Sequence, residues 1–196
     1  MFLSDPPESP DAAKLQQDDR DESGYVWNLT RLWSWRPDVL QDMTALRTRL
    51  VNGSGLSMRD LGVIVCTTAA TLHDSYCALA WGSKLSKEAG APVAAAVLGD
   101  TAHADLTARD RALMGWTRQV VRDPNGTSPD SVAALRAAGL SDAEIFAATV
   151  YIGLRLAFST VNDALGAAPD EALRDGAPAE VREAVTFGRP ASAPTR

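Results

Sequence analysis

The chain has 196 residues, 45% apolar and 22% charged. This predicts one globular domain with short appendages and excludes global disorder, collagen-like repeats and a disulfide scaffold. Lys and Arg number 19 against 25 Asp and Glu, a net charge of −6 with no basic cluster, so nucleic acid is not expected as a partner. The two cysteines and two histidines fall short of the roughly four spaced ligands of a closed zinc site; no metal and no cofactor is expected.

Residues 1–23 are acidic, contain Pro6, Pro7 and Pro10, and lack apolar periodicity, which predicts a flexible arm. Up to Glu22 this arm carries −5 and leaves the body near neutral. The opening residues offer neither a basic nor an apolar signal region, and no stretch reaches roughly 20 uninterrupted apolar residues. A cytoplasmic protein with no membrane partner is therefore expected. Pro37 suits a first helical turn, with Val39, Leu40, Met43, Leu46 and Leu50 following at helical spacing until Gly53 and Gly55. Ser57-Met-Arg-Asp60 resembles a capping box in which Asp replaces Glu. It leads into Leu61–Leu72, where the β-branched run Val63–Thr68 suits a strand on propensity alone; the cap and the flanking helices favour a buried helix. Further helices are predicted from about Asp74 to Lys87, from Thr107 to about Arg122, and from Pro129 to Gly139. Ser141-Asp-Ala-Glu144 is a full capping box, opening a helix that runs to Leu165 with Gly166 as its stop. A weaker helix follows Pro178, and the end from Gly188 is predicted as a second arm. Hairpin signals are absent. The fold class is all-α.

Both cysteines and one histidine fall between Leu61 and Gly82. His73, Cys77 and Trp81 recur every four residues and share one helical stripe, with Asp74 beside it. At a helix N-terminus exposed N–H groups favour a thiolate, and a neighbouring imidazole lowers a thiol's pKa, whereas Asp74 raises it. Equally, a free Cys and a Trp are ordinary core residues, and both readings stand. Arg155 interrupts the apolar face of the last long helix, either as an ion-paired or snorkelling residue or as an anchor for a substrate carboxylate. Tyr25, Trp27, Trp33 and Trp35 predict core or an oligomer contact rather than a ligand pocket.

The order of several segments adds to this. Ser23-Gly-Tyr-Val-Trp-Asn-Leu-Thr-Arg-Leu32 with Arg36-Pro37, Leu56-Ser-Met-Arg-Asp60, Tyr76-Cys77 with Gly82, Leu106–Gly115, Val132–Ile145 and Asn162-Asp-Ala-Leu-Gly166 occur in sequence. Together they resemble the AhpD-like alkylhydroperoxidase and carboxymuconolactone decarboxylase superfamily, in its peroxidase-related subgroup, over about residues 23–172. The resemblance implies an AhpD-like helical domain over 24–172. Residues 173–196 would form an extension, partly helical and then disordered. It also implies a small-molecule substrate and a homo-oligomer: a trimer, a hexamer or a dimer.

The working motif of that family is degenerate here. Its relay Glu is Gly62, the first Cys of its Cys-x-x-Cys pair is Asp74, and its His is Trp81; only Cys77 matches, at the peroxidatic position. Cys66 lies four residues beyond Gly62 on the same stripe. Were Cys66 and Cys77 on one straight helix they would stand about 16 Å apart, beyond the roughly 7 Å a disulfide allows. A redox pair therefore requires a bend near Leu72-His73.

Three readings follow. In the first, the chain is a thiol-dependent oxidoreductase reducing (hydro)peroxides: Cys77 is the nucleophile, Cys66 the resolver and His73 the proton acceptor, with Tyr76, Trp81 and Arg155 binding substrate. In the second, it is a cofactor-independent acid–base enzyme of the carboxymuconolactone decarboxylase type using Asp74, His73 and Arg155. In the third, it is a non-catalytic ligand-binding oligomer.

Overall fold

Three capping boxes set the architecture. The Ser57 hydroxyl accepts the Asp60 N–H at 3.1 Å while the Asp60 carboxylate accepts the Ser57 N–H at 2.8 Å, starting α4 (Met58–Leu72). Thr107 and Asp110 repeat the pattern for α7 (Ala108–Arg122), as do Ser141 and Glu144 for α9 (Asp142–Ala164). Asp serves as well as Glu at the third helical position because its carboxylate still reaches back to the cap N–H. The computed structural model describes residues 1–193, and among these there are eleven α-helices and no strand, only an isolated bridge between Asp170 and Ser192. The other helices are α1 (Pro10–Ser23), α2 (Asn28–Trp33), α3 (Pro37–Val51), α5 (Ser75–Ala89), α6 (Ala91–Gly99), α8 (Pro129–Ala137), α10 (Glu171–Asp175) and α11 (Ala179–Ala184).

α4 is the central helix. Every residue from Asp60 to Ala69 is buried, and the helix packs against α5, α6, α7 and α9. An apolar surface on all sides has no single stripe to reveal its period, so Val63–Thr68 resembles a strand in sequence and is helical in the fold. A reciprocal pair of arginines fastens α4 to α7. Arg59 donates to the Asp110 carboxylate at 3.1 and 2.7 Å, and Arg109 donates to Asp60 at 2.8 and 3.2 Å. Arg109 also reaches Glu144 at 2.7 Å, tying the starts of all three capped helices together.

The bend near residue 73 on which a Cys66–Cys77 pair depends is present. His73 adopts a left-handed conformation (φ 61°) and the Asp74 N–H donates back to the Ala69 carbonyl at 2.8 Å. This closes α4 and turns the chain into α5, its packed neighbour. Gly82 lets α11 approach α5: a Cβ there would lie 2.6 Å from Val181 Cγ1.

Both ends differ from the sequence expectation. Residues 10–23, expected as an arm, form α1, capped by Ser9 with Pro10 in its first turn and Ala12 buried. Such a shallow contact, with α2 and α3, leaves almost no apolar period to read. At the other end Ser75 Oγ donates to the Arg189 carbonyl at 2.7 Å, and the Ser192 N–H donates to the Pro169 carbonyl at 2.8 Å. The segment 188–193 therefore crosses the start of α5 as a strap instead of forming an arm; residues 194–196, part of that expected arm, lie outside the described residues. Among the described residues α9 alone is long and apolar enough to cross a membrane by length and composition, yet its Ala148, Ile152 and Phe158 are buried in the core it shares with α3, α4 and α7.

Candidate active site

Cys77 sits in the first turn of α5. Its N–H donates to Asp74 Oδ1 at 2.9 Å, so Asp74, fully buried, is the helix cap. The side chain points into a cavity of about 520 Å³ walled by α3, α5 and α9. Across the cavity Arg155 of α9, only 3% exposed, donates through Nη2 to Cys77 Sγ at 3.0 Å, and Ser159 Oγ stands 3.9 Å from the same sulfur. The stripe that α9 presents reads Tyr151, Arg155, Phe158 and Ser159, one or two helical turns apart.

The electrostatics pull in opposite directions. Burial pushes the Cys77 thiol up to about 12, and Asp74 adds to that rise; Arg155 and the Ser159 hydroxyl draw it down. Among the described residues Arg155 has no carboxylate partner, and its Nε is buried without a hydrogen bond. Its guanidinium instead lies 4.9 Å from the Phe158 ring centroid and 5.6 Å from that of Trp81, geometries suited to cation–π attraction. A thiol is a weak counter-ion for a buried cation, whereas a thiolate is a full one. Arg155 is therefore the group that most favours ionising Cys77, against the net rise that burial imposes.

The residues singled out in the sequence divide into two groups. Cys77, Tyr76, Trp81 and Arg155 line the cavity. The Tyr76 hydroxyl, however, donates to Asp170 Oδ2 at 2.7 Å, and burial and that carboxylate push its pKa upward, so only its ring is offered to a ligand. His73 is not in the cavity: it is exposed at the α4–α5 turn, its ring 5.7 Å from that of Phe187. It cannot take a proton from Cys77 there. Asp74 caps α5 through Oδ1, and its Oδ2 is buried without a hydrogen-bond partner.

Cys66 is free and fully buried within the core, outside the cavity lining. Burial raises its pKa, Cys77 adds to the rise and Arg155 opposes it. At Gly62 a Cβ would meet Leu85 at 3.0 and 3.1 Å, so a larger side chain there needs Leu85 to move.

Among the cavity residues that escaped the sequence reading are Arg47, Lys84, Tyr151 and Phe158. Arg47 lies four residues after Met43 on the apolar stripe of α3, and Lys84 seven after Cys77; charge on an inward stripe was the available signal. Among the described residues no group of three His, Cys, Asp or Glu side chains is placed to hold a metal ion.

No family model matches the chain, and no curated protein matches it. Solved structures do share its fold. A peroxidase-related protein with an AhpD core from Ralstonia eutropha superposes with a TM-score of 0.76 at 22% identity, covering 88% of this chain and 93% of that one. A second peroxidase-related protein, from Silicibacter, gives 0.75 at 19% with the same coverage. The debrominase Bmp8, solved as a cysteine-to-alanine variant with 2,3,4-tribromopyrrole, gives 0.72 at 12% and covers 94% and 98%. The chain thus has the all-α fold of the AhpD core.

Proposed function

We propose that this chain is a divergent peroxidase-related oxidoreductase that works through a single thiol, Cys77. The observation that carries the reading is the 3.0 Å contact between Cys77 Sγ and an otherwise unpaired buried guanidinium at a cavity wall. In the first step the Cys77 thiolate attacks a peroxide oxygen; an S–O bond forms, the O–O bond breaks, and the departing alkoxide takes a proton from water. An exogenous thiol entering through the cavity then condenses with the sulfenic acid, releasing water and leaving a mixed disulfide, which a second thiol reduces. Cys66, a free thiol buried outside the cavity lining, is given no role in this scheme. The acid–base alternative loses His73 to the outer turn and keeps only Asp74, which caps α5 through Oδ1 and leaves Oδ2 unbonded.

Titration with cumene hydroperoxide, followed by peptide-resolved mass spectrometry, tests the proposal. One added oxygen, or a trapped adduct, on Cys77 alone is expected, with none in Cys77→Ala; two unmodified thiols after excess peroxide would overturn it. A second reading replaces the peroxide by a halogenated aromatic, favoured by the Trp81, Tyr151 and Phe158 wall and by the debrominase of like fold. Cys77-dependent bromide release from 2,3,4-tribromopyrrole in the presence of a reducing thiol would establish it; no release would remove it.

A further inference from the structure

The cavity carries more positive charge than a single thiolate can balance. Its lining includes Arg47, Lys84 and Arg155 and contains no Asp or Glu. Burial and Arg155 both lower the pKa of Arg47, and burial, Arg155 and Arg47 lower that of Lys84, as expected for cations that repel one another without a counter-ion. All three lie over aromatic rings: Arg47 is 5.0 Å from the Phe158 centroid, Lys84 is 4.7 Å from that of Trp81, and Arg155 approaches both. The buried Arg155 Nε keeps an unused donor. Peroxide is neutral and small, and an ionised Cys77 offsets one cation only.

We infer that the cavity binds a small aromatic anion, its acidic group held among Arg47, Lys84 and Arg155 and its ring against Trp81 and Phe158. A flat ring uses the aromatic wall, and the anion supplies the charge that the lining lacks. A cavity of about 520 Å³ accommodates a one- or two-ring acid. This deepens the proposed function by naming the class of compound that reaches Cys77, but the binding stands independently of thiol chemistry.

Calorimetric titration of the intact chain with benzoate and pyrrole-2-carboxylate, each against its neutral amide, tests it. At least one acid is expected to bind about tenfold more tightly than its amide, with affinity falling as salt rises. Arg47→Gln and Lys84→Gln should each weaken the acid several-fold and leave the amide unaffected. Cys77→Ala should still bind the acid. Inorganic phosphate should fail to compete at equal concentration; full competition would mean a simple anion site and overturn the aromatic assignment. Absence of binding by both acids, or equal binding of acids and amides, would overturn the inference. Acid binding without peroxide oxidation of Cys77 would sink the oxidoreductase reading alone, and oxidation without acid binding would sink only this one.

Discussion

Arg155 is buried beside a sulfur with no carboxylate to balance it, a placement that costs stability unless it is used. Replacing it with Met removes an unpaired buried charge at similar volume. Arg155→Met is therefore expected to keep or raise the Tm, while peroxide oxidation of Cys77 slows at least tenfold; a parallel loss of both would mark Arg155 as merely structural. Asp163 poses the same problem with the opposite sign. Burial and the nearby Asp74 push it up to about 7, against the partial relief of Arg189. Its folded pKa exceeds its unfolded value, so the folded state holds the proton longer. The resulting cost is absent below about pH 4, grows between pH 4 and 7, and is fully present above 7. Because Asp163 is only partly buried, Asp163→Asn should gain about 1 kcal/mol at pH 8 after solvent screening, or roughly 2–4 °C in Tm, and nothing at pH 4. Thermal melts at the two pH values decide this. At this scale the sequence singled out Cys77, Trp81 and, separately, Arg155, which the fold brings to one cavity; it did not disclose the exile of His73, because a left-handed turn reverses the direction that helical spacing assigns.

Helix starts were the most legible elements. Ser57-Met-Arg-Asp60 and Thr107-Ala-Arg-Asp110 supply both a cap and the arginine that crosses to the partner helix, so each short motif encodes local and tertiary contacts together. Removing one acid leaves a partly buried arginine unpaired: Asp110→Ala is expected to cost about 2 kcal/mol, less than a fully buried pair because Arg59 reaches water. Chemical denaturation measures it, and an unchanged midpoint would contradict the latch. α6 was harder to foresee, since Ala91-Pro-Val-Ala-Ala-Ala-Val-Leu-Gly99 has no side-chain cap and no polar face; it is helical because α4, α5 and α11 surround it. α1 was missed for the opposite reason, being polar almost all round.

For the molecule as a whole, the strap at the C-terminal end joins the start of the Cys77 helix to α9, to Phe2 and to the start of α2. Arg189 donates to the Asp163 carbonyl at 3.0 Å, its guanidinium lies 4.7 Å from the Phe2 ring centroid, and Asn28 reaches Ser192 at 3.4 Å. Gly188 permits the crossing: it has φ +74°, and a Cβ there would lie 2.3 Å from the His73 carbonyl oxygen. Gly188→Ala is expected to free the strap at a cost of about 1–3 kcal/mol, seen as a lower Tm and faster trimming of the C-terminal residues by carboxypeptidase. The sequence presented this segment as an arm because long-range backbone contacts leave no local pattern. The all-α class, by contrast, was visible in the succession of caps. The account as a whole depends on Arg155 activating a thiol that solvent can reach through the cavity. The most direct measurement is iodoacetamide labelling, resolved by peptide, from pH 7 to 10. The account predicts that Cys77 labels while Cys66 stays protected, that the rate climbs about tenfold per pH unit as the thiolate fraction grows, and that Arg155→Met slows it at every pH. Equal protection of both cysteines until the protein unfolds, or labelling indifferent to Arg155, would contradict it.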